Sequence, residues 1–66
     1  MNDVHRNLRL RIDAENMIAL AARLDEQAER LDVDAPAARD LREYADTLHS
    51  RAQDAYDEIA RSRASH

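Results

Sequence analysis

The chain has 66 residues, 44% of them hydrophobic and 36% charged, with a formal net charge of −4, no Gly, no Cys and a single Pro. A core this small rarely supplies more than about 3–5 kcal/mol, and without cysteines or a zinc-ligand cluster the remaining reinforcement is self-association. The missing glycines remove the phosphate-cradling loops of nucleotide-binding motifs and the tight turns that several strands need, which excludes an all-β fold.

Residues 1–12 carry Arg6, Arg9 and Arg11 against Asp3, a net of +2, while residues 13–66 carry seven Arg against thirteen acids, a net of −6. An acidic body disfavours indiscriminate nucleic-acid binding, which is largely electrostatic, yet a basic arm can still touch phosphates. This arm has no apolar run of the signal-sequence type, and nowhere do apolar residues persist for the ~20 positions of a membrane span, so a cytoplasmic protein without a membrane partner is expected.

Within the arm, Asn7-Leu8-Arg9-Leu10-Arg11-Ile12 alternates polar and apolar residues, the period of a half-buried strand, and Asp13 stands where a following helix would be capped. Over about residues 6–25 the pattern resembles the start of ribbon-helix-helix repressors and antitoxins, in which two such strands pair across a dimer and enter the DNA major groove. The resemblance implies that Asn7, Arg9 and Arg11 face outward to read bases, arginine being suited to bidentate contact with guanine. The chain departs from that family further on, where no glycine marks a turn and a helical repeat runs unbroken to Leu31. Leu10 fits that repeat as well. In this second reading the arm belongs to helix 1, and Leu8 and Ile12 fall outside the seam as an apolar patch beside Arg9 and Arg11.

Helix 1 is expected over about residues 5–31. Leu10, Met17, Leu24 and Leu31 alternate with Ala14, Ala21 and Ala28 at steps of three and four, the signature of a coiled-coil seam. The stretch Asp32-Val33-Asp34-Ala35-Pro36 predicts a turn over 32–35, with Asp34 as the N-cap of the next helix and Pro36 in its first turn, where a missing N–H costs nothing. Helix 2 is expected over about 36–61, with Arg61 and Arg63 complementing its dipole and Ser62 to His66 fraying. Its seam sets Ala38, Ala45, Ala52 and Ile59 against Leu41, Leu48 and Ala55.

Small residues mostly at the first heptad position (a) and large ones at the fourth (d) let two backbones approach closely while the large side chains fill the space beside them. Ile18, Leu20, Tyr44 and Tyr56 flank the seam and broaden its apolar face. A short connection makes the helices antiparallel, and a lone hairpin leaves one side of its stripe wet. The expected fold is therefore all-α: one domain over residues 1–66, an antiparallel helical hairpin that dimerises into a four-helix bundle, with the seam residues as the dimer core.

Leu31-Asp32-Val33-Asp34 at the bend, with Leu41, Ala45-Asp46, Leu48 and Ala52 in helix 2, resembles the Rop-like regulators of plasmid copy number, dimeric four-helix bundles that bind paired RNA loops. The likeness lies in core and turn positions. RNA binding of that kind uses lysines and an exposed phenylalanine on helix 1, and this chain has neither; Arg6, Arg9, Arg11, Asn16, Arg23 and Gln27 are the residues that could replace them.

Catalytic signals are weak. The nearest match to the Glu-x-x-His element of di-metal bundles is Asp46-x-x-His49, with the shorter acid, and it reads as a solvated helix face. Thr47 and Ser50 flank His49 but point in different directions, so no triad forms. No enzyme activity, cofactor or metal is expected. The sequence reads as a homodimeric regulatory or inhibitor protein, of a kind common in phages and plasmids, that binds a macromolecular partner, foremost a protein, through Leu8, Arg9, Arg11 and Ile12. DNA binding through Asn7, Arg9 and Arg11, Rop-like RNA binding, and a purely structural oligomerisation module are the alternatives.

Overall fold

A computed structural model describes the backbone of residues 2–64 and the side chains of residues 4–64. Two helices, α1 (Asn2–Glu29) and α2 (Pro36–Ala64), pack side by side and are joined by residues 30–35. They run antiparallel: Arg6 near the start of α1 bonds Glu58 near the end of α2, and the Asn7 Nδ2 donates to Ser62 Oγ at 3.4 Å. The hairpin measures 49 × 15 × 11 Å, so its thin dimension is that of a single helix, about 10–12 Å. Neither helix is long and apolar enough to cross a membrane.

The core follows the heptad. Ala14, Ala21 and Ala28 of α1 and Ala38 and Ala45 of α2 are 0% exposed, because the a positions point at the neighbouring helix and an alanine there lets the backbones close on it. Ala14, Ala52 and Ala55 form one cluster, against which Leu10, Met17 and Tyr56 pack. Ala21, Ala45 and Leu48 form the next, flanked by Met17 and Leu24. Apart from the buried Leu48 and Ile59, the larger seam residues are less enclosed: Leu10, Met17, Leu24 and Leu41 are half-buried and Leu31 is 40% exposed. A hairpin one helix thick encloses small side chains between its helices and leaves the large ones partly wet on its face.

The structure decides between the two readings of the arm in favour of the expected helix, and it corrects the sequence reading at three other places. Residues 7–12 are helical and the described residues contain no strand, so the ribbon implied by the ribbon-helix-helix resemblance is not formed. Helix gives Leu10 a place against Ala14 and Ala52 within the same chain, whereas a strand there would need a second strand to satisfy its backbone. Helix α1 ends at Glu29, two residues before the expected Leu31. Its final turn holds Glu26 and Glu29 and no base, an arrangement that opposes the helix dipole, and Arg30 and Leu31 instead make tighter bonds to Gln27 O at 3.2 Å and Ala28 O at 3.1 Å.

The N-cap of α2 is Ala35, not Asp34: the Ala35 carbonyl accepts the first helical bonds, from Ala38 N at 3.1 Å and Arg39 N at 3.3 Å. Pro36 decides this, because it disfavours helical geometry at the residue before it and is itself well suited to the first helical position. Finally, α2 runs to Ala64 rather than fraying after Arg61. Ser62 is half-buried at the next seam position, opposite Asn7, and that contact holds the last turn in place. Ser65 and His66, the remainder of the expected fraying tail, lie outside the described residues.

Candidate functional site

The open end of the hairpin, where the start of α1 lies beside the end of α2, carries five of the ten arginines, Arg6, Arg9, Arg11, Arg61 and Arg63, with Asp57 and Glu58 beside them, in a chain whose net charge is −4. The helices themselves produce this clustering, since only antiparallel packing brings the two arginine-bearing ends together. Arg6 pairs with Glu58 across the hairpin, and the Arg11 Nε donates to Glu15 Oε1 at 3.3 Å, one turn along α1. Both pairs are solvent-exposed and therefore modest in energy, about 0–1 kcal/mol each.

Beside this charge stands an apolar ridge. Val4, Leu8 and Ile12 recur every four residues along α1, the spacing that aligns side chains on one helix surface, and they are 71%, 54% and 46% exposed. Val4 and Leu8 slope into a shallow groove of about 410 Å³ whose other walls are Asn7, Arg11, Ile59 and Arg63. An adjoining depression lined by Arg11, Glu15, Tyr56, Ile59 and Arg63 continues it along the same side of the hairpin. Apolar residues thus make much of the floor, and guanidinium groups make part of the rim.

Of the four residues expected to form the contact patch, Leu8 and Arg11 line this groove together, and Ile12 stands one turn beyond Leu8 on the outer surface. Arg9 is separated from them: it lies in a different depression with His5, Arg6, Leu10 and Asp13. Asn7, expected to reach bases in the DNA-binding alternative, is half-buried and directed at Ser62. Val4 and Arg63 were not among the sequence-derived candidates, and Ile59 was expected in the dimer core rather than at this surface. Val4 could have been found from its four-residue spacing to Leu8, but Ile59 and Arg63 enter only through the antiparallel register.

Elsewhere the chemistry is sparse. Asp46 and His49 are both exposed, and among the described residues no group of three or more His, Cys, Asp or Glu side chains is placed to hold a metal ion. The Thr47 hydroxyl donates to Glu43 O at 3.1 Å, the usual back-bond of a threonine within a helix. No family model matches the chain, and neither the curated proteins nor the solved structures contain a significant match to it.

Proposed function

We propose that this protein is a non-enzymatic, homodimeric regulator or inhibitor that acts by holding another protein at the open end of its hairpin. The observation that carries this reading is the exposed Val4, Leu8 and Ile12 ridge beside an arginine-rimmed groove. Exposed aliphatic side chains grouped on one surface, rather than scattered singly, mark interaction sites, and arginine is enriched where proteins meet. The groove suits an acidic amphipathic segment, whose apolar face would cover Val4, Leu8 and Ile59 while its carboxylates meet Arg11 and Arg63. Nucleic acid is the less favoured occupant, because phosphate gains nothing from three exposed aliphatic side chains and the body of the chain is acidic.

Capture on the tagged protein from lysate of its native host, with and without nuclease, tests the reading against Ile12→Glu. A discrete protein that survives nuclease and is lost with Ile12→Glu supports it. Unchanged capture by the variant would remove the patch from consideration, and capture lost to nuclease would transfer the assignment to nucleic acid. Ile12 is 46% exposed, so the variant leaves the melting temperature nearly unchanged and a loss of capture reports on the surface.

A further inference from the structure

The residues flanking the seam divide into two sets that the structure places on opposite faces of the hairpin. Counting heptad positions from Ala14 and Ala45, the e positions carry Val4, Arg11, Ile18 and Asp25 on α1 and Arg42, His49, Tyr56 and Arg63 on α2. Of these, Val4, Arg11, Tyr56 and Arg63 border the groove described above and its continuation. The g positions carry Arg6, Asp13, Leu20 and Gln27 on α1 and Glu58, Arg51, Tyr44 and Ala37 on α2. On this second face the charged positions correspond in opposite signs, Arg6 being bonded to Glu58 and Asp13 standing in the same register as Arg51. The half nearer the bend is uncharged at g, and there Leu20 and Tyr44 are 40% and 53% exposed. The half-buried Leu10, Met17, Leu24 and Leu41 occupy the d positions next to this face.

We infer that the face bearing Leu20 and Tyr44 is covered by the same face of a second copy, which leaves the opposite face and its groove free. Three observations select a second copy. First, among the described residues no large side chain is fully buried in the single hairpin, and the enclosed core is alanine apart from Leu48 and Ile59. A chain with so little buried surface needs its partner whenever it folds, and another copy is always at hand. Second, a face 49 Å long and 15 Å wide approaches the ~800 Å² per partner of a standard stable interface. Third, an isologous contact buries a patch against its own duplicate, which suits a face that is apolar in its half nearer the bend and internally neutralised in its charged half. This assignment deepens the homodimeric part of the proposed function and does not depend on the partner surface.

Two substitutions separate the faces. Ile18 and Leu20 are almost equally exposed in the single hairpin, at 38% and 40%, so a monomer predicts the same small effect for Ile18→Glu and Leu20→Glu. A dimer joined through the Leu20 face predicts a split: Leu20→Glu raises the dimer dissociation constant by at least about tenfold and Ile18→Glu leaves it unchanged. Sedimentation equilibrium of the full chain over a range of concentrations reads this, with Tyr44→Glu as a second variant expected to behave like Leu20→Glu. Equal effects at Ile18 and Leu20, or dissociation by Ile18→Glu alone, would overturn the assignment. A wild-type chain that sediments as a monomer would overturn it and the homodimer together, while the Val4, Leu8 and Ile12 surface would still stand or fall on capture by Ile12→Glu.

Discussion

Leu48→Ala tests how far the fold depends on its few large enclosed side chains. Leu48 is 4% exposed and packs with Ala21 and Ala45, with Met17 and Leu24 at its margin. The substitution removes three carbons, about 2.4 kcal/mol at ~0.8 kcal/mol for each methylene. Alanine neighbours have no side chain that can swing into the space, so a cavity contribution carries the loss toward the upper part of the roughly 2–5 kcal/mol seen for Leu→Ala in cores. Set against a total of about 3–5 kcal/mol for a core of this size, even the lower figure removes roughly half of the stability. Urea unfolding followed by far-UV circular dichroism should show it, and the melting temperature should fall by at least about 10 °C. Leu8→Ala is the control: at 54% exposed it should stay within about 0.5 kcal/mol of the parent. A Leu48→Ala loss below about 1 kcal/mol, or one equal to that of Leu8→Ala, would refute the claim that Leu48 is enclosed.

Two further outcomes follow from the seam and the cap. Ala21 is 0% exposed between the helices while Ala22 is exposed, so Ala21→Leu should force the backbones apart at a cost of about 1–3 kcal/mol, whereas Ala22→Leu stays within about 0.5 kcal/mol; matched thermal melts compare them. Ala35 caps α2 without a side-chain acceptor, so Ala35→Asp, which offers a carboxylate to the N–H groups of the first turn and complements the helix dipole, should gain about 1 kcal/mol; an unchanged or lower melting temperature would contradict the cap assignment.

How much of this was legible in the residues depends on the range of the interaction. The alternation of Ala14, Ala21 and Ala28 with Leu10, Met17 and Leu24 specified a helix and its buried stripe, because a 3.6-residue period is a property of the local backbone. The same locality left two readings open at the arm, where six alternating residues satisfied a strand period as well as a helical one. Only the placement of Leu10 against Ala14 and Ala52 decides between them. At the bend, Asp34 had the right chemistry for a cap and stood one residue too early, because Pro36 fixes where the helix starts.

The contact surface shows the same division. Leu8 and Ile12 were legible as apolar residues off the seam, and Val4 shares their spacing. The joining of Val4 and Leu8 to Ile59 and Arg63 was not legible, since those residues lie more than fifty positions away and meet the arm only through antiparallel packing. Heptad counting separates Ile18 at e from Leu20 at g, but which flank of α2 joins each of them into one face came only from the antiparallel packing. The sequence by itself determined two helices, their buried stripes and the acidic balance of the chain, all of which follow from spacing and composition. Tertiary structure alone decided the register that gathers five arginines at one end, the burial of alanine in preference to leucine, and the faces left open to partners, because each of these depends on two segments meeting that no local rule relates.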